Sequence, residues 1–180
     1  MQQADQAAIS NMLKLMSDNN VEPGKPVKDL KVFALIQMEM LKTEKLQSTH
    51  RSRLKAILEK QGWPGRTLVG ADGAHAAWLI VQHADAEPQL QQKCLDLMTA
   101  APSGEVENRD IAYLTDRILV GQKKPQKYGT QLGAELKPLP IEDDEGVDAR
   151  RKAMGLPTLA DYLKSARDEV EKLSKSAPKK

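Results

Sequence analysis

Aromatic side chains are scarce in this chain of 180 residues, which contains one Phe, two Trp and three Tyr. Leu, Ala, Ile and Met must therefore fill its core, and that composition suits helices better than a sheet sandwich. The hydrophobic share of 40% still supplies enough apolar material for one core. Together with a length that fits one domain, this predicts a single, mainly α-helical domain rather than a disordered chain.

Cysteine, long apolar runs and a charge of one sign are also lacking. The one cysteine, Cys94, excludes an intramolecular disulfide and a Cys-rich metal site. No apolar run approaches the ~20 residues of a membrane span. The 27 basic and 25 acidic side chains give a net charge of +2, too small for a strong field toward nucleic acid or an anionic membrane. We therefore expect neither partner, and we predict no cofactor and no metal site.

The compartment and the oligomeric state stay open at this stage. No signal peptide is present in the sequence as it stands. The chain opens Met1-Gln2-Gln3-Ala4-Asp5, which also fits a start codon placed on a processed protein. The cytoplasm and, after removal of a signal peptide, the periplasm or the exterior both remain compatible with the sequence.

The spacing of apolar residues predicts a bundle of about six to eight helices. They are expected at about 4–16, 27–46, 48–60, 73–84, 87–100 and 105–120, then from 147 and again after Thr158. Residues 65–73 are predicted to be a loop because of their glycines. Residues 121–146 have no helical period, and we expect a long loop or a short hairpin about Gly133 there.

This pattern divides the domain into three parts along the chain. Residues 1–47 hold the N-terminal helices, and 48–165 form the main helical core of the same domain. Residues 166–180 are the end of the last helix and a basic tail, which we expect to be solvated.

The segment 73–84 is the most informative helix because it carries no Asp, Glu, Lys or Arg. A helix that is apolar nearly all round is predicted to be buried and central. At ~100° per residue, one of its sides carries His75, Trp78, Gln82 and His83. Polar groups buried there must find partners or cost about 1–3 kcal/mol each, so another helix, a ligand or ordered water must meet them.

His83 is the first candidate for a general acid or base, since the pKa of an unperturbed imidazole lies near neutrality. Asp116 or Gln82 would orient it, and Arg117 and Tyr128 would stabilise negative charge on a substrate. The alternatives are a structural histidine bonded to a carbonyl and, for Arg117, an ion pair that ties a helix end to the loop. A joint metal site with His75 is disfavoured, because the two histidines would lie about 12 Å apart along the helix.

Further candidates are binding residues rather than catalytic ones. Gln126 and Gln131 flank Gly129, which permits unusual backbone angles, and this segment is predicted either to line a polar pocket or to form a hairpin edge facing water. His75, Gln82 and Arg151 complete the predicted binding set, with a solvated surface as the alternative for Arg151. Cys94 lies in a Leu/Met-rich helix and is predicted to be core.

These segments resemble an uncharacterised bacterial domain-of-unknown-function family. The resemblance rests on Gly62-Trp63-Pro64, Val69-Gly70, the runs 77–85, 112–117, 126–131 and 147–151, and Gly155-Leu156. It spans about 54–162 and leaves the first fifty residues outside. It implies one shared feature without stating its role. That feature comprises Gln82, His83, Asp116, Arg117, Gln126, Tyr128 and Gln131.

Three functions are compatible with these residues. The first is an enzyme, a hydrolase or transferase, with a buried His/Asp/Arg/Tyr site for a small polar or anionic substrate. The second is a non-catalytic module that binds a ligand, a peptide or a protein. The third is a satisfied polar network that only pins the loop to the bundle. A cleft beside His83 would favour the first two, and flush packing of the loop there would favour the third.

Overall fold

The computed structural model describes residues 11, 14–21, 27 and 29–176, with side chains up to residue 172. Residues 11 and 14–18 are helical, and the other residues of the helix predicted at 4–16 lie outside the described part. Within it, no helix is long and apolar enough to cross a membrane.

The described chain is a mainly α-helical single domain, as predicted. Its α-helices from residue 30 onward are α1 (Leu30–Gln61), α2 (Arg66–Gln82), α3 (Pro88–Ala100), α4 (Asn108–Gly121), α5 (Val147–Ala153) and α6 (Leu159–Ser176). A 3-10 turn spans Ala134–Leu136, and extended pairing in the described residues is limited to isolated bridges.

The long helix α1 replaces two shorter helices predicted at 27–46 and 48–60. Asp29 caps its start by accepting hydrogen bonds from the backbone N–H groups of Lys31 and Val32 at 2.7 and 3.2 Å. No Gly or Pro interrupts 30–61, so nothing breaks the helix before Gly62. The first half of α1 is largely exposed. Ile36 is buried there, while apolar side chains such as Phe33 and Leu41 are exposed.

The predicted loop at 65–73 is instead the first part of α2. Only Gly70 departs from helical geometry, with φ 74° and ψ 171°, and it kinks the helix. A Cβ at Gly70 would meet no atom within 4 Å, so the backbone angle and not space is what requires glycine there. Gly65 and Gly73, which also suggested a loop, do not interrupt the helix.

The core lies around α2, which contacts α1, α3 and α4 as the prediction of a central helix requires. The core side chains come from these four helices and, for Ala84, from the segment between α2 and α3. They are Leu54, Leu58, Ala77, Val81, Ala84, Leu90, Cys94, Met98, Leu114 and Ile118. Cys94 is fully buried among them, so its assignment to the core is confirmed.

The segment after α4 forms the short hairpin predicted about Gly133. The N–H of Gly133 donates to Lys137 O at 2.8 Å, and that of Leu139 donates to Gln131 O at 3.1 Å. Helix α6 then begins at a capping box, in which the Thr158 hydroxyl and Asp161 bond to each other. Helix α6 also contacts the 3-10 turn at Ala134–Leu136, so the hairpin lies against this helix.

Candidate functional site

Asp116, near the end of α4, is a fully buried carboxylate that faces the loop after this helix. It accepts hydrogen bonds from the backbone N–H groups of Lys127, Tyr128 and Thr130 at 2.7, 3.1 and 2.9 Å. The Thr130 hydroxyl adds a fourth donor at 2.9 Å. With these donors, both carboxylate oxygens are engaged in fixing the loop.

Gln126 is also fully buried and braces the hairpin from inside. Its amide nitrogen donates to Gln131 O and Leu139 O at 3.0 and 2.8 Å, and its side-chain oxygen accepts from Gln131 N at 2.9 Å. The side chain faces the interior, so the prediction of a hairpin edge facing water is wrong for Gln126.

Arg151 of α5 closes the same network from the other side. It donates to Pro157 O and Tyr128 O at 2.7 and 2.6 Å, and its guanidinium lies 5.0 Å from the ring centre of Tyr162. Burial lowers the pKa of Arg151. The Tyr162 hydroxyl donates to Thr130 O at 2.9 Å. We call Asp116, Gln126, Thr130, Arg151 and Tyr162 the loop network.

Arg117 points away from Asp116 and forms a bidentate ion pair with Asp85, at 2.8 and 2.5 Å. This contact holds the pKa of Asp85 below its usual range. A third nitrogen of Arg117 lies 3.4 Å from the side-chain oxygen of Gln131. Arg117 thus ties the end of α2 to the hairpin, which is the ion-pair alternative considered for it.

His83 is exposed, so its predicted place in a water-poor site is wrong. Helix α2 ends at Gln82, and His83 takes non-helical angles there as the cap of the helix. Gln82 is buried, and its side-chain oxygen has no hydrogen-bond partner among the described residues. Tyr128 is half-buried, with its pKa raised by burial, and contributes backbone groups to the loop network.

A cleft of about 260 Å³ lies elsewhere, between the first half of α2 and the start of α4. We call it the tryptophan cleft. Its lining residues are Trp63, Arg66, Ala71, Asp72, Ala74, His75, Trp78, Glu105, Val106, Glu107, Arg109 and Asp110. The cleft contains both tryptophans of the chain and, of the predicted site residues, His75 alone.

His75 and Asp110 form the centre of the tryptophan cleft. Asp110 is 4% exposed, and its carboxylate lies 3.7 Å from His75 Nδ1 and 3.6 Å from Arg109 Nε. Both distances exceed a normal hydrogen bond. Burial raises the pKa of Asp110, against the opposing effect of His75 and Arg109. This carboxylate is therefore buried and still lacks a close donor from the described chain.

Trp78 contacts both His75 and Asp110. Its ring stacks on His75 with centroids 5.0 Å apart, and its indole N–H donates to the backbone oxygen of Asp110 at 3.0 Å. Tyr113 meets Trp78 edge-on at 6.3 Å and meets Tyr162 in the same way, also at 6.3 Å. A continuous row of rings thus runs from the tryptophan cleft to the loop network.

Asp110 and Trp63 were missed as site residues from the sequence. Trp63 entered there only as part of the Gly62-Trp63-Pro64 motif, and Asp110 only as a position in the helix predicted at 105–120. The available signal was the low aromatic content, because side chains so few in number and placed near His75 in the chain were candidates for a common site. In the described residues, no group of three or more His, Cys, Asp or Glu side chains is arranged to hold a metal ion.

Comparison with curated proteins and with solved structures gives no match. A model of a family of unknown function, DUF6624, matches residues 31–173. The match begins earlier than the resemblance suggested, since it takes in most of α1, and it contains both the tryptophan cleft and the loop network. The chain belongs to the DUF6624 family.

Proposed function

We propose that the protein is an enzyme, a hydrolase or transferase, whose acid–base centre is His75 with Asp110 in the tryptophan cleft. The observation that carries this proposal is the buried Asp110 carboxylate, 3.7 Å from His75 Nδ1. A carboxylate beside one imidazole nitrogen orients the ring and stabilises the imidazolium, while the other nitrogen exchanges protons with substrate. Ionisable groups perturbed by burial inside a cleft are typical of catalytic sites.

The composition of the cleft determines the kind of nucleophile. No Ser, Thr or Cys is among its lining residues, so no hydroxyl or thiol of the lining is available for a covalent intermediate. His75 would instead take a proton from water, giving a hydrolase, or from a substrate hydroxyl, giving a transferase. General acid–base catalysis of this kind contributes about 10²–10⁴-fold to a rate.

This assignment differs from the one made from sequence, in which His83, Asp116, Arg117 and Tyr128 carry the chemistry. Asp116 and Arg117 are already engaged in bonds to the loop and to Asp85. Their contacts support the view that the loop network is structural. The catalytic role of His83 stays a prediction, to be compared directly with that of His75.

The alternative function is a non-catalytic module that binds a small polar ligand or a peptide in the same cleft. Two indoles and several charged groups in one concavity favour recognition, and the lack of a hydroxyl or thiol nucleophile in the lining is compatible with it. The near balance of 27 basic and 25 acidic residues supports neither nucleic acid nor a membrane as partner. We also propose that the motifs quoted in the sequence analysis are characteristic of the family and that the family is bacterial.

The test uses p-nitrophenyl acetate, p-nitrophenyl phosphate and a set of amino-acid p-nitroanilides, with release of the chromophore as the readout. Wild type, His75→Ala, Asp110→Asn and His83→Ala are compared, with Asp144→Asn as an exposed control. We expect turnover of at least one probe, with a loss of at least ~100-fold in His75→Ala. His83→Ala and Asp144→Asn are expected to stay within about twofold of wild type.

Two outcomes would overturn this assignment. If wild type turns over none of the probes, the binding module replaces the enzyme. If turnover survives in His75→Ala and is lost in His83→Ala, the catalytic centre is the one predicted from the sequence. Far-UV circular dichroism of each variant confirms that a loss of turnover is not a loss of fold.

A further inference from the structure

The tryptophan cleft carries an excess of negative charge. Four carboxylates line it, those of Asp72, Glu105, Glu107 and Asp110, against the two guanidinium groups of Arg66 and Arg109. Low-dielectric walls of one charge sign concentrate ions of the opposite sign. Of the small polar or anionic substrates that the sequence suggested, an anion would therefore be repelled.

The two guanidinium groups already lie beside carboxylates of the cleft, so neither provides a free positive charge there. Arg66 bonds Glu107 at 2.6 Å, and Arg109 lies 3.6 Å from Asp110. Asp72 stays available, because it is exposed without a hydrogen bond or ion pair to the described residues. Asp110 is paired only loosely, with His75 and Arg109 at 3.7 and 3.6 Å, and can accept a closer donor.

Glu105 adds a negative charge that is fixed in place. It accepts hydrogen bonds from the backbone N–H and the hydroxyl of Thr67, the former at 3.0 Å. These bonds lower the pKa of Glu105, so it stays ionised at neutral pH.

The lining also contains the groups that suit an organic cation. Trp63 and Trp78 are indoles, the side chains that attract cations most strongly, and one face of Trp78 is already stacked on His75. At about 260 Å³ the cleft is below the roughly 300–1,000 Å³ of sites for drug-sized ligands. A single charged group on a short stem fits this size better than a large ligand does.

We propose that the ligand of the tryptophan cleft carries a primary ammonium or guanidinium group, which enters between Asp72 and Asp110. This inference rests on the proposed function, because it names the substrate class of the same site. The nearest nitrogen atoms of His75 and Arg109 lie 3.7 and 3.6 Å from the Asp110 carboxylate, so an N–H group of a ligand can add a closer, charge-assisted hydrogen bond, which a quaternary ammonium cannot form. A lysine or arginine side chain, or a small amine, has the required N–H groups.

Tryptophan fluorescence measures this directly, since the two tryptophans of the chain both line the cleft. The probes are n-butylammonium, butyltrimethylammonium, n-butanol and butyrate, which share one stem and differ in charge and in donors. We expect saturable binding of n-butylammonium, about tenfold tighter than that of the other cation or of butanol. Butyrate is expected not to bind.

Asp72→Asn is the matched variant, because it removes one exposed carboxylate at constant size. We expect it to weaken n-butylammonium binding about three- to tenfold and to leave the fold unchanged. Asp144→Asn also removes one negative charge but lies outside the cleft, and is expected to bind like wild type. Asp110→Asn is expected to have the largest effect, and Asp72→Asn stands in for it should that variant fail to fold.

The outcomes separate this inference from the proposed function. If butyrate binds more tightly than n-butylammonium, or if the four probes bind alike, the cationic ligand is excluded. Turnover that depends on His75 would then keep the enzyme while changing its substrate class. If n-butylammonium binds and no probe is turned over, the ligand class stands and the protein is a binding module.

Discussion

At the scale of single residues, two aspartates of α4 differ most clearly. Asp116 is fully buried and receives four hydrogen bonds from the loop, whereas Asp110 is nearly as buried and has its closest donors at 3.6 and 3.7 Å. A buried carboxylate with a full set of donors is stable as it stands. A buried carboxylate without close donors can accept a hydrogen bond from a ligand. This contrast separates Asp116, a structural residue, from Asp110, a candidate functional one.

Replacing Asp116 by Ala tests the structural half of this contrast. The change leaves three backbone N–H groups and one hydroxyl without their acceptor, so the free energy of unfolding should fall by at least ~3 kcal/mol. Urea unfolding measures it, with Asp144→Ala as the exposed control expected within about 0.5 kcal/mol of wild type. Should Asp116→Ala not fold, Asp116→Asn keeps one acceptor and gives a smaller loss. A loss below about 1 kcal/mol in Asp116→Ala would show that the loop does not depend on this carboxylate.

At the scale of the elements, the sequence predicted features within a short segment, but it did not predict that α1 continues as one long helix. The capping box of Thr158 and Asp161 is local chemistry, and it starts α6 where the sequence indicated. The break between 46 and 48 was inferred from a change in apolar spacing, although no Gly or Pro stands there. The hydrogen bonds of a helix continue through such a change, so α1 is a single helix.

The kink in α2 is an element-scale feature with a direct test. Gly70 has φ 74° and ψ 171°, a combination available almost only to glycine, so Gly70→Ala should lower the free energy of unfolding by about 1–3 kcal/mol. Gly121→Ala is the matched control, because a Cβ also meets nothing within 4 Å there and its φ is not positive. That change should be neutral or stabilise by up to ~1 kcal/mol. Equal effects of the two changes in thermal unfolding would exclude backbone strain as the reason for Gly70.

At the scale of the whole molecule, the fold was predictable because composition and apolar spacing determine a helical core. The site was not predictable in the same way. His75 and Asp110 belong to α2 and α4, and no local pattern states which faces of two helices meet. For His83 the sequence neighbours suggested a buried site. Because α2 ends just before it, His83 is exposed instead.

The reactivity of the Cys94 thiol measures how often the core opens. It is fully buried, and burial raises the pKa of its thiol to about 12. Reaction with a disulfide reagent needs an exposed thiolate, so we expect native protein to react at least ~1,000-fold more slowly than protein in urea. A Cys94→Ser protein that carries Gln92→Cys, at an exposed neighbouring position, should react rapidly. Native reaction within tenfold of the unfolded rate would mean that α3 opens independently of the rest.

The hydrogen bonds of Asp116 also have a consequence for the order in which the molecule assembles. They join residues 11 to 14 positions apart along the chain, so the loop closes against α4 at a small entropic cost. The tryptophan cleft instead brings together Trp63 and Asp110, which are separated by all of α2 and α3, and closing such a long stretch of chain costs more entropy. We therefore expect the loop to form earlier in folding than the cleft. A ligand bound in the cleft would hold distant parts of the chain together and would stabilise the folded state.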